Sequence, residues 1–282
     1  IEIEKEVTTP AVPPIVDICL LQDETGSFWD DIGNLQTAAS GIYDTIIATS
    51  PDAQFAVTGF RDYPQNPFGS PGDWVYRLLS SMSEVKQDWL DGVNLLSASG
   101  GNDGPEAQYD AIVAAVLGGF GVANCGWRAD ANVQKVLVVT TDAPFHLPGE
   151  GKPHLNDHTS TVTALNTAGI SLIGLKAPGA GVELDALAAD TGGSVQPLSS
   201  NSDNIATAIL DALADLTTDV WWTENCGPEL EVSLEPLVYE DIPGETPVYF
   251  TETIRVPNDT PPGIYTCEVT FWSGDYGEEG AI

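Results

Sequence analysis

Basic residues are scarce in this chain: 9 Lys and Arg stand against 42 Asp and Glu in 282 residues, a formal charge of −33. Such a surface repels nucleic acid and anionic membranes at long range, which excludes both as partners. It suits a protein that meets high salt or divalent cations, since both neutralise the self-repulsion; plain solubility is the simpler use of the same charge. No apolar run reaches the roughly 18 residues that a membrane span needs, so no membrane insertion is expected in this segment. The opening IEIEKEV does not have the pattern of a signal peptide. Internal repeats and low-complexity tracts are absent too. Cysteine is limited to four residues, which permit about three pairings. Cys226 and Cys267 fall together in a strand-rich tail, where a bond would suit an oxidising, extracellular or cell-surface setting. Cys19 lies inside an apolar strand and reads as a buried small hydrophobe, while Cys125 sits in a loop.

What is present is organised around IVDICLLQDETGSFWDD, from Ile15 to Asp31. Ile15, Val16, Ile18, Leu20 and Leu21 leave few polar positions, as in a central parallel strand covered on both faces by helices. Ligands of such sheets bind at the carboxyl ends of strands. The loop there supplies Asp23, Thr25 and Ser27 at alternating positions, then Asp30 and Asp31 one helical turn on. Carboxylates and hydroxyls without sulfur or imidazole are the donors that hard cations take. The same residues also serve as a helix N-cap with acids in the first turn.

Residues 1–14 alternate apolar and charged side chains before AVPP, and read as an edge strand and linker outside the sheet that begins at Ile15. Ile32, Leu35, Ala39, Ile42 and Ile46 recur at helical spacing. FAVTGF is a second strand, running into Arg61, Asp62 and Tyr63. The turn-rich PQNPFGSPGD then leads to a third strand over 74–79, and Ser83 is placed to cap the helix carrying Trp89, Leu90 and Val93. In GGNDGPEAQYDAIVAAV, Pro105 opens a helix and Glu106 follows in its first turn. KVLVVTT is a further apolar strand that ends at an acid, Asp142. Helices over 159–168, 183–190 and 205–216 alternate with strands over 170–175 and 194–198, which makes an α/β fold with helices on both faces of a mostly parallel sheet. From Asp219 the period becomes two, with strands over 229–234, 248–256 and 264–271, the pattern of a small β-sandwich. Two domains are expected, one over 15–218 and one made of 1–14 with 219–282.

These motifs resemble a von Willebrand factor A domain, and more narrowly the βI domain of integrin β subunits. DETGSFWDD resembles the family's D-x-S-x-S motif with its following acidic pair, and PEAQYDAI resembles the helix bearing the site glutamate. GWRADA with VTTDAPFH resembles the metal-bearing fourth strand, and LSSNSDNI the entry to the last helix. The similarity covers about residues 15–218 and implies a Rossmann-like fold there, with a hybrid-like β-sandwich from the rest. Residue by residue, it implies a central metal-ion-dependent adhesion site of Asp23, Thr25, Ser27, Glu106 and Asp142, holding Mg²⁺. An adjacent site would use Ser27, Asp30, Asp31 and a carbonyl near Ser200. A third would use Asp62, Asn102, Asp103, the Pro105 carbonyl and Glu106, both flanking sites holding Ca²⁺.

A central cation held by hydroxyls and few direct carboxylates stays electrophilic, so it completes its shell with a carboxylate from a partner protein. That is adhesion and not turnover, so no enzyme is expected. The chain departs from the family in three places. Thr25 replaces a serine, and Asn102 precedes Asp103 by one residue where the family has two. The loop that in animal integrins is long, disulfide-stapled and central to pairing with an α subunit is here the short PQNPFGSPGD, which bears on whether an integrin α-like chain is a partner.

Two other classes compete. Magnesium-dependent phosphotransferases of the haloacid dehalogenase type also put an Asp at a strand end, but their second acid would stand where Thr25 does. They also need a phosphate-binding lysine, for which the relevant half offers Lys135 and Lys152. A structural surface or pilus module with a vestigial site is the other class. His146, His154 and His158 have a spacing that zinc could use, yet as three loop histidines with no cysteine nearby they read as solvent-facing.

Overall fold

Apolar runs separated by turns become, in chain order, β1 (Glu2–Thr8), β2 (Ile15–Asp23), α1 (Trp29–Thr49), β3 (Asp52–Phe60), β4 (Arg77–Ser83), α2 (Lys86–Asn94), α3 (Gln108–Leu117) and β5 (Gln134–Thr141). Then come α4 (His158–Thr167), β6 (Ile170–Lys176), α5 (Glu183–Asp190), β7 (Val195–Pro197) and α6 (Ile205–Ala214). Five strands follow: β8 (Thr217–Cys226), β9 (Glu231–Glu235), β10 (Val238–Pro243), β11 (Pro247–Arg255) and β12 (Cys267–Gly274). This computed structural model describes residues 1–130, 133–150 and 155–274, and Asp30 by its backbone alone. The elements fall into two compact units, Ile15–Leu213 and a second made of Ile1–Pro14 with Ala214–Ile282.

The first unit is an α/β fold around a six-stranded sheet of order β4-β3-β2-β5-β6-β7. Only β4 runs antiparallel to its neighbour. β2 occupies the centre with its apolar residues and even Asp17, Gln22 and Asp23 buried, as in a strand covered on both faces. On one face Cys19 and Leu21 join Leu137, Val139 and Leu172 under α3, α4 and α5. On the other, Ile18, Leu20 and Val138 meet Ile42 and Ile46 of α1, Trp89 of α2 and Ile209 of α6. The chain winds outward from β2 through β3 to β4, then returns to start again at β5. The order therefore reverses between β2 and β5, and the crevice that opens there at their carboxyl ends is where such sheets bind ligands.

Several local expectations needed correction. The strand expected over 74–79 begins at Arg77. Trp74 is used elsewhere: the guanidinium groups of Arg61 and Arg77 lie 3.6 and 4.2 Å from its ring centre. Ser83 does not cap α2, whose N-cap is Val85; its hydroxyl accepts from the Val85 N–H at 3.1 Å and donates to Asp88 at 2.6 Å. Cys19 is buried but is not a free hydrophobe, being bonded to Cys125. At the other end of β2, Arg128 clamps the buried carboxylate of Asp17 with Nε at 2.6 Å and its own backbone N–H at 2.8 Å.

The second unit consists of two antiparallel three-stranded sheets, β1-β11-β9 and β10-β8-β12. Val220, Leu234, Val248 and Phe250 form its core, with Tyr239, Val269 and Phe271 packed against them. β8 and β10 were not among the expected strands, and the strand expected over 264–271 begins at Cys267. The β8–β12 register sets Cys226 opposite Cys267, and the two are bonded. Among the described residues, no helix is long and apolar enough to cross a membrane.

Candidate metal centre

Asp23 is the last residue of β2, and its side chain is 0% exposed. Both of its oxygens accept hydrogen bonds: Oδ1 from the Thr25 N–H at 2.9 Å and hydroxyl at 2.7 Å, Oδ2 from the Thr141 hydroxyl at 2.7 Å. The Ser27 hydroxyl lies 3.2 Å from that of Thr25 and donates to Asp142 Oδ1 at 3.0 Å. Asp142 follows β5 directly, so the two strand ends at the reversal point bring Asp23, Thr25, Ser27 and Asp142 together. The loop between Asp23 and α1 is held by Glu24, whose carboxylate is paired with Arg77 and accepts from the Ser97 N–H at 2.8 Å. A side chain at Gly59 would bring its Cβ within 2.0 Å of Glu24 Oε2, so a larger residue there would have to displace the Glu24 carboxylate.

Glu106 enters from a third direction, just ahead of α3. Its N–H donates to the Pro144 carbonyl, and its own carbonyl accepts from the His146 N–H, both at 3.0 Å, which ties it to the loop after Asp142. The side chain is only 4% exposed, and Oε2 has no hydrogen-bond partner among the described residues. Gly101, at φ +68°, separates Glu106 from Thr25: a Cβ there would stand 2.8 Å from Glu106 Oε1 and 3.4 Å from Thr25 Cβ.

Burial pushes the Asp23 carboxyl up to about 7, and Asp142 adds to the rise while the bonds from Thr25 and Thr141 oppose it. Burial, then the charges of Asp23, Asp62 and Asp103, push Glu106 up to about 10. Carboxyls held this way resist ionisation unless a cation compensates them. An orphaned buried oxygen, two hydroxyls and a half-buried Asp142 form an all-oxygen set that fits a hard divalent ion. Asp23 and Glu106 lie behind, whereas Ser27 is exposed, so the set opens to solvent on one side.

The other expected ligands are placed unevenly. Asp31 is buried and accepts from the Ser202 hydroxyl at 2.5 Å, and Asn34 donates to the Asn201 carbonyl at 2.6 Å. Thus Asn201 and Ser202 tie the loop before α6 to α1, while Ser200 is exposed. The Asp30 side chain, Lys152 and His154 lie outside the described residues. Lys135 sits near the start of β5, beside Asp17 and at the opposite end of the sheet from Asp23. His158 is paired with Asp190 at 2.8 Å.

The third group contains a residue that sequence reasoning missed. His146 is not solvent-facing: it is 2% exposed, with Nε2 3.1 Å from Asp62 Oδ1 and 3.5 Å from Asp103 Oδ1. Asn102 and Pro105 flank Asp103 and Glu106 in the same loop, Asn102 exposed and Pro105 half-buried. One signal for His146 was available, because Ala143 and Phe145 prolong the apolar character of β5 past Asp142.

Residues 11–160 match the family described as "Integrin beta chain VWA domain". Integrin beta-1-A of Xenopus laevis is 24% identical over 175 residues, which cover 52% of this chain and 21% of that protein. The chain thus spans about a fifth of that relative's length. Among solved structures, von Willebrand factor type A from Catenulispora acidiphila superposes with a TM-score of 0.53 at 12% identity, covering 98% of this chain and 70% of that one. Proximal thread matrix protein 1 of the mussel byssus, in a form with a zinc-occupied MIDAS motif, gives 0.51 at 18% identity and covers 74% and 47%. At these identities the two structures share the fold.

Proposed function

The chain belongs to the integrin beta chain VWA domain family, and from that premise we propose that it binds a protein ligand through a divalent cation held by Asp23, Thr25, Ser27, Glu106 and Asp142. The observation that carries this reading is the meeting of two strand ends and Glu106 around one hard-oxygen pocket. When bound, Mg²⁺ supplies an electrophile that accepts a carboxylate from the ligand. Thr25 and Ser27 offer neutral hydroxyl oxygens to it. Asp23, whose oxygens are already engaged by Thr25 and Thr141, orients the Thr25 hydroxyl and contributes charge from behind, while Asp142 holds the Ser27 hydroxyl.

The same engagement argues for binding over turnover, since Asp23 is buried beneath its hydrogen bonds and is a poor nucleophile. Ca²⁺ is proposed for the adjacent site near Asp30 and Asp31. The second unit is read as hybrid-like. With all four cysteines paired, an extracellular or cell-surface location follows the same reading. The short PQNPFGSPGD loop carries no cysteine and packs Phe68 inward against Tyr63, Val75 and Ala107, a departure from the family that bears on pairing with an integrin α-like chain.

The test is to pan a displayed peptide library on the chain in Mg²⁺ and to elute with EDTA. Eluted peptides should carry an Asp or Glu whose change to the amide abolishes binding, and Asp23→Ala should capture none of them. Capture that is equal in Mg²⁺ and in EDTA would overturn the proposal.

A further inference from the structure

The geometry points to a second metal centre of different chemistry, formed by Asp62, Asp103 and His146 and suited to a borderline transition ion such as Zn²⁺ in preference to Ca²⁺. It replaces the all-oxygen calcium site that the resemblance implies in this loop, and it does not depend on the adhesive reading of the central site. The donor atoms of the three residues lie within 4.8 Å of one another. Nε2 of His146 stands 3.1 Å from Asp62 Oδ1 and 3.5 Å from Asp103 Oδ1. An ion with tetrahedral bonds of roughly 2.0–2.1 Å separates its donor atoms by about 3.3 Å, so these spacings leave room for one without moving a backbone. Calcium takes roughly six to eight oxygens, and an imidazole nitrogen is a poor member of that set.

The other ring nitrogen supplies the independent observation. Nδ1 of His146 lies 3.0 Å from Glu150 Oε2. An Nδ1–H donated to a carboxylate fixes the tautomer that leaves the Nε2 lone pair facing Asp62 and Asp103, the arrangement that metal-bound histidines adopt. The ring is also held rigidly, between Tyr63 at 5.8 Å and Phe68 at 5.7 Å between ring centres. Asp103 is anchored to the same place by its N–H, which donates to the Phe68 carbonyl at 3.1 Å.

The test is zinc X-ray absorption on the whole chain loaded with one equivalent of Zn²⁺, paired with chelator-competition affinities for wild type, His146→Gln and Glu150→Gln. The wild-type spectrum should show one imidazole and oxygen donors. His146→Gln should remove the imidazole signal and weaken zinc at least tenfold. Glu150→Gln, which leaves every direct donor in place, should weaken it about tenfold as well, and millimolar Ca²⁺ should not displace the zinc. A shell without imidazole, an imidazole that persists in His146→Gln, or ready displacement by Ca²⁺ would overturn the assignment. If His146→Gln does not fold, the wild-type spectrum and Glu150→Gln still decide. Mg²⁺-dependent peptide capture by the wild-type chain reports separately on the central site, so neither failure can be mistaken for the other.

Discussion

Replacing Glu106 by glutamine isolates the charge that the central pocket is built to hold. The carboxyl has an ordinary value of 4.5, and in the fold burial and neighbouring acids push it up to about 10. A carboxyl whose folded value exceeds its unfolded one keeps its proton in the fold and gives it up on unfolding. Its contribution is therefore fully present below 4.5 and is lost as the pH rises towards the folded value. Without metal, this group alone should cost about 1.4 kcal/mol of stability per pH unit inside that window. From pH 6 to pH 8 the loss is about 2.7 kcal/mol. Glutamine keeps the shape and has no proton to exchange. In EDTA, urea unfolding followed by circular dichroism should therefore show wild type losing about 2.7 kcal/mol more than Glu106→Gln over this interval. Saturating Mg²⁺ should abolish the difference, because the ion and not a proton then balances the carboxylate. Parallel pH dependence of the two proteins in EDTA would refute the reasoning.

Two further substitutions probe what surrounds the pocket. Asp31→Ala removes the acceptor of the Ser202 hydroxyl and so loosens the tie between α1 and the loop before α6. Peptide affinity and its response to Ca²⁺ should shift several-fold while calorimetry still detects Mg²⁺ at the centre, and an unchanged Ca²⁺ response would remove the support for coupling through that tie. Arg128→Ala strands the Asp17 carboxylate, which is 0% exposed, without its cation. Urea unfolding should show a loss of about 3 kcal/mol; a loss below about 1 kcal/mol would mean that Asp17 finds another partner.

Much of the site was legible because its residues sit where a period changes. The apolar runs of β2 and β5 stop at Asp23 and Asp142, and strand ends carry ligands in such sheets. Residues held by partners distant in sequence were not legible. His146 has one local signal of burial, the apolar Ala143 and Phe145 before it, but its packing against Tyr63 and Phe68 is set by the fold. Cys19 reads as a plain hydrophobe because its partner is 106 residues away. β8 was missed although TTDVWWTENC contains strand-favouring Thr, Val and Trp, because Asp219, Glu224 and Asn225 break its alternation and its pairing with β10 and β12 joins segments distant in sequence. The bond from the Ser202 hydroxyl to Asp31 joins residues far apart in sequence, so only the path of the loop decides it.

The most direct measurement is anomalous diffraction from crystals of the chain grown in Mn²⁺, an ion that the same hard-oxygen donors accept. The predicted result is a manganese peak bounded by Thr25, Ser27, Glu106 and Asp142, lost on soaking in EDTA. Crystals saturated with Mn²⁺ that show no peak there, with the Ser27 hydroxyl still bonded to Asp142, would contradict the account.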